Sequence, residues 1–188
     1  MRALLLGLLV LASPALGQEA TSAYTKVAPA EGCAEIGRND AGEGDWQDLV
    51  CPGVANYPYV LRRGDGRETV TYGFASDSGM PGFGAFNYAN DTVEWRLVAG
   101  DNATLPVAAI QRWFLADQNG AWATQILVVS RVGQPDDPGA CVVGYVAAAD
   151  GPAANLRART LADTAPAFRC GADRPTVEPA IAAHVPPG

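Results

Sequence analysis

Hydrophobic and polar positions along the chain fall into four regimes. Residues 3–16 are almost wholly apolar, follow a lone Arg2 and end at Ala15-Leu16-Gly17. That run is shorter than the about 20 residues a membrane-spanning helix needs. Its basic start, apolar middle and small-residue end predict a secretory signal peptide over 1–17. Residues 18–32 are small, polar and without periodicity, which predicts a flexible lead. The third regime is β-like. Tyr57–Arg62 and Glu68–Phe74 are rich in aromatic and β-branched residues and flank Gly64-Asp65-Gly66, a hairpin pattern. Thr92–Val98 alternates, with Val93, Trp95 and Leu97 opposing Thr92, Glu94 and Arg96. Pro106–Leu115 and Ala123–Val132 flank Asp117-Gln118-Asn119-Gly120, and Cys141–Val146 reads as a further strand. Val107, Ile110, Trp113 and Phe114 also fit helical spacing, but the Asn-Gly turn and the run Ile126–Val132 favour a hairpin. Residues 37–48 and 76–91 read as Gly-rich loops, the first acidic and closed by Trp46. The short run Leu49–Cys51 ends at the turn signal Pro52-Gly53.

The last regime has helical period. Ala154, Ala158, Leu161, Ala165 and Phe168 fall on one face, opposite Arg157, Arg159, Thr160 and Asp163. Pro152 suits the first turn of that helix, and Pro166 ends or kinks it near Ala165. Residues 171–188, with Pro175, Pro179, Pro186 and Pro187, read as a mobile tail. The expected fold is α+β, a curved antiparallel β-sheet of about seven strands with one C-terminal helix packed on it. A two-sheet β-sandwich is the alternative. Residues 33–170 then form a single disulfide-stapled domain, a size that supports one hydrophobic core.

Cys33, Cys51, Cys141 and Cys170 are the four cysteines. An even number in an exported chain points to disulfides, and three pairings are possible. Nearest neighbours give Cys33 with Cys51 and Cys141 with Cys170, the favoured connectivity. Each bridge would contribute about 3–4 kcal/mol through loop closure. Zinc knuckles need close C-x₂₋₄-C pairs, which the chain lacks.

Composition narrows the chemistry mainly by exclusion. The net charge is −7, and Arg2 is the only charged residue of the leader, so an exported form is more acidic still. Such a balance repels nucleic acid and anionic membrane. His184 is the only histidine and lies in the Pro-rich tail, which removes Ser-His-Asp and Cys-His catalysis within one chain and any metal site needing two histidines. No P-loop occurs, and Gly79-x-x-Gly82-x-Gly84 has the wrong spacing for a dinucleotide motif. No metal or cofactor is expected. Asp40, Glu43, Asp45 and Asp48 do not follow the EF-hand spacing and read as a solvated acidic loop. Arg63-Gly64-Asp65 reads as a hairpin tip. Asn90-Asp91-Thr92 and Asn102-Ala103-Thr104 match glycosylation acceptors, expected to be bare in a bacterial product. The loop at 76–91 carries Met80, Phe83, Phe86 and Tyr88 among glycines, and these four are the candidate binding residues.

Cys51-Pro52-Gly53, Val93-Glu94-Trp95-Arg96, the run Leu127–Val132 and the Cys141…Cys170 close together resemble a group of uncharacterised exported bacterial proteins, over about residues 33–170. The resemblance implies export and fold and carries no activity. The functional expectation is a small periplasmic or secreted protein, without a membrane anchor, that binds a protein or envelope component and is not an enzyme. Two alternatives stand beside it. One is a carboxylate-dependent glycan hydrolase using two of Asp45, Asp48, Asp77, Asp91, Glu94, Asp136 and Asp137. The other is an inhibitor of a basic cell-wall hydrolase such as lysozyme, drawn by opposite charge.

Overall fold

A computed structural model of the chain describes residues 19–27, 32–39, 44–75, 82–100 and 103–186. The leader 1–17, Met80, Asp40, Glu43, Asp77 and Asn102 lie outside the described residues. Two sheets form instead of one, antiparallel throughout except at the last strand of the larger. The strands are β1 (Thr21–Lys26), β2 (Ala34–Arg38), β3 (Trp46–Pro52), β4 (Pro58–Gly64), β5 (Arg67–Tyr72), β6 (Asn87–Ala99), β7 (Thr104–Leu115), β8 (Thr124–Arg131), β9 (Cys141–Ala147) and β10 (Thr176–Val177). The smaller sheet is the meander β2-β3-β4-β5, and the larger runs β1-β6-β7-β8-β9-β10. Helix α1 (Pro152–Ala162) starts at Pro152, as the fixed φ of proline favours.

Alternation on β7 shows why a second sheet is required. Ala109, Gln111, Trp113 and Leu115 face one way, and Ala108 and Ile110 face the other, yet both sets are buried. The first set packs with Leu49, Tyr59, Leu61, Val70 and Tyr72 of the small sheet, and the second packs under α1. A strand buried on both faces needs a layer on each, so the order is small sheet, large sheet, helix. Residues 107–115 belong to β7, since a strand with two apolar faces mimics helical spacing.

Both ends of the chain depart from the expected mobile segments. Thr21–Lys26 is the edge strand β1, paired with Thr92–Leu97 of β6. Around it the polar face of β6 is neutralised: Arg96 bonds Asp163 beyond α1, Glu94 bonds Arg159 of α1, and Ser22 links Glu94 and Arg96. In the tail, β10 runs parallel to β9, and a 3₁₀ turn over Pro179–His184 buries Ile181. Gly144 of β9 permits this approach, because a Cβ there would lie 2.5 Å from the Thr176 carbonyl and 2.6 Å from Leu161.

Cys33–Cys51 joins β3 to the residue before β2, and Cys141–Cys170 joins the start of β9 to the segment beyond α1. These two bridges point to an oxidising, extracytoplasmic compartment. Among the described residues no helix is long and apolar enough to cross a membrane.

Candidate ligand-binding groove

The inner face of the small sheet loses its cover toward the hairpin tip, where Arg63 is exposed. Its inward positions read Leu49 and Cys51 on β3, Tyr59 and Leu61 on β4, and Val70 and Tyr72 on β5, all buried. Two residues nearer the hairpin tip the same face becomes Gln47, Arg63 and Glu68. Gln47 pairs with Arg63 and Arg63 with Glu68, so the three form one row across the strands. The change from apolar to polar marks where the second sheet stops covering the first. An open groove of about 670 Å³ lies there, and this row is part of its lining.

Backbone chemistry builds both rims. Asp65 and Gly66 have φ of 51° and 66°, the paired positive values of a two-residue hairpin turn. Gly66 is needed twice over: a Cβ on it would also lie 2.9 Å from the Phe86 ring, which packs on the turn. Arg67 caps that ring, its guanidinium 4.9 Å from the centroid, and donates to the Gly84 carbonyl. On the other rim the Asp117 carboxylate accepts from the amides of Asn119 and Ala121, holding the turn that presents Trp122. Trp122 stands at right angles to Tyr88, which stacks on Phe114, with 4.8 Å between centroids in each pair.

The expected binding residues therefore separate. Phe83 is 6% exposed and packs between Trp113 and Tyr145, closing the core between the sheets. It is a core residue, since a Phe flanked by glycines reaches apolar space more favourably than water. Phe86 (51% exposed) and Tyr88 (37%) remain at the surface, beside the groove. Trp46 and Trp122, each nearly half exposed, complete the set of aromatics there, and sequence reasoning missed both as binding residues. In the sequence Trp46 reads only as the close of a loop. A signal for Trp122 was available, since a Trp beside an Asn-Gly turn sits at a tip that offers little core to bury it.

Charge in the groove differs from charge in the whole chain. Arg38, Arg63 and Arg67 line it together with Asp45 and Glu68. Arg38 pairs with Glu35 at 2.9 Å and Arg67 with Asp65 at 2.5 Å. Arg63 makes no ion pair among the described residues. Its guanidinium donates twice to the Gln47 amide oxygen, and the Gln47 amide nitrogen donates to Glu35. Gln47 thus holds Arg63 in one orientation without neutralising it. Glu68 accepts from the Ala89 amide at 2.8 Å, and the Glu68 amide donates to Asn87, which clasps β5 to β6. Burial raises the Glu68 pKa, while the Ala89 amide and nearby Arg63 pull it back down.

The other candidate carboxylates lie elsewhere. Glu94 is taken up by Arg159, Asp91 by Lys26, and Asp137 by Arg131. Asp48 pairs with Arg62. Among the described residues no group of three potential ligands is placed to hold a metal ion. No protein family, curated protein or solved structure matches the chain.

Proposed function

We propose that this is an exported, non-enzymatic binding protein, periplasmic or secreted, that holds a component of the bacterial envelope in the groove at the hairpin end. One observation carries the reading: Trp46, Tyr88 and Trp122 stand exposed around a polar row of Gln47, Arg63 and Glu68. Exposed aromatics clustered beside oriented arginines have the composition of binding hot spots. A chain that needed these rings only for stability would bury them, as it buries Trp95 and Trp113. Retention of envelope fractions on the immobilised protein tests the reading, with the Trp46→Ala/Trp122→Ala double variant run beside the wild type. Retention of at least one fraction that falls about tenfold in the variant is expected. Equal retention by both proteins sinks the assignment of this groove.

A glycan hydrolase is the second reading, favoured by Glu68, a groove carboxyl with its pKa raised by burial, the usual preparation of a general acid. Glu68→Gln separates the two readings. A hydrolase loses turnover and keeps its ligand, and a binding protein has no turnover to lose.

A further inference from the structure

We infer that the groove recognises a saccharide bearing a carboxylate, with Arg63 as the carboxylate receptor and the exposed Trp and Tyr rings as stacking surfaces. This rests on the binding reading above and names its ligand class. The floor excludes apolar ligands, because covering Gln47, Arg63 and Glu68 with hydrocarbon would strip their hydration without replacing it. A sugar meets both demands at once. Its hydroxyl edge supplies donors and acceptors to amide and guanidinium groups, and its weakly positive C–H face stacks on the negative face of an aromatic ring. Trp122, 48% exposed and set at right angles to Tyr88, lines the groove together with the polar row and is the stacking ring this reading requires.

The carboxylate follows from the state of Arg63. The neighbouring guanidiniums of Arg38 and Arg67 already have carboxylate partners, whereas Arg63 is oriented by the neutral Gln47 amide and acts on Glu68 only from beyond ion-pair distance. A planar guanidinium fixed in place accepts a carboxylate through paired N–H bonds at little entropic cost. The acidic chain as a whole disfavours polyanions, so isolated carboxylates on an otherwise neutral saccharide fit better than a dense polyacid. The groove volume of about 670 Å³ lies within the range of small-ligand sites.

The experiment uses trisaccharides carrying a single uronic acid, of several stereochemistries, each beside the neutral sugar in which the carboxylate is reduced to an alcohol. A hexapeptide of glutamate serves as the peptide control. Binding to the full exported chain is followed by amide chemical shifts. At least one uronide is expected to bind about tenfold more tightly than its neutral counterpart and than the peptide. Arg63→Gln should abolish that preference by weakening the uronide far more than the neutral sugar, while Trp122→Ala should weaken both sugars alike. Arg63→Lys, which keeps the charge and loses the planar fork, should recover only part of the preference. Equal binding of acid and neutral sugars, or a preference that survives Arg63→Gln, overturns the assignment of Arg63. Tighter binding of the peptide, or no sugar bound at all, overturns the saccharide class. Groove-dependent retention of an envelope fraction would still stand in either case, so the two failures are distinguishable.

Discussion

Gln111 sits on β7 between the sheets, 1% exposed, and its amide serves both of them. Its oxygen accepts from the Tyr72 hydroxyl at 2.6 Å, and its nitrogen donates to the Tyr59 hydroxyl and to the Asn90 carbonyl. Burial raises the pKa of both tyrosines, so they stay neutral partners at any ordinary pH. Gln111→Leu would strand two buried hydroxyls, and a loss of about 2–4 kcal/mol in denaturant unfolding is expected. Ser130 makes the opposite case. Its hydroxyl is fully buried without a partner among the described residues, as is the Trp113 indole nitrogen. Ser130→Ala should leave stability unchanged or raise it by up to about 1 kcal/mol. A loss larger than that would show the hydroxyl to be bonded. Glu68 gives a pH signature. Its raised pKa means the folded state holds the proton more tightly than the unfolded chain, whose carboxyl titrates near 4.5. Its contribution to stability is therefore complete below that value and is lost as pH rises through the folded pKa. The Tm of Glu68→Gln minus that of the wild type should be smallest in acid, grow through this window and then level off. A difference independent of pH contradicts the assignment.

At the scale of elements, α1 shows how a weakly amphipathic helix is held. Its buried face is Ala154, Ala158 and Ala162, which cover little apolar area but let the backbone approach β8 and β9. Charge supplies the remaining hold. Arg157 pairs with Asp150 and Glu178, and Arg159 with Glu94. Glu178 also accepts from the Ala147 amide, so one carboxylate ties tail, helix and β9 together. The Cys141–Cys170 bridge closes a separation of 29 residues, and Cys170→Ala should lower stability by about 3–4 kcal/mol through the unfolded state. The helix should stay docked in that variant, because the ion pairs do not depend on the bridge. Hydrogen exchange of the α1 amides measures this, and global loss of their protection under native conditions would show the bridge to be the sole anchor.

For the whole molecule, the offset between the sheets decides both stability and site. Where the sheets overlap, rings from both meet edge to face, as Tyr72 does with Trp95 at 5.7 Å. Where the small sheet overhangs, the same strands present the groove. Trp46 and Trp122 lie outside the core, so the Trp46→Ala/Trp122→Ala variant should unfold within about 1 kcal/mol of the wild type, as surface substitutions do. Trp95→Ala, which empties a fully buried site, should lose about 3–5 kcal/mol. A double variant that unfolds as readily as Trp95→Ala would place the exposed rings in the stabilising core.

Local pattern alone located the hairpin at Asp65-Gly66, the strands at 92–98, 123–132 and 141–146, and the helix behind Pro152, because each depends on period and turn chemistry within about ten residues. It also led to the nearest-neighbour disulfides. The number of sheets was not legible, since a buried strand has the same composition whether its cover is a helix or another sheet. Nor were β1 and β10, two short polar edge strands that are ordered by partners more than 30 residues away. The groove was half legible. Phe86 and Tyr88 could be proposed from the Gly-rich run around them, although Tyr88 stands on β6, but Phe83 turns inward because the space between Trp113 and Tyr145 is there to be filled. Gln47, Arg63 and Glu68 sit on three different strands and form a row only through strand register. Their exposure depends on where the second sheet ends. That boundary is a property of how two sheets pack, and no window of sequence contains it.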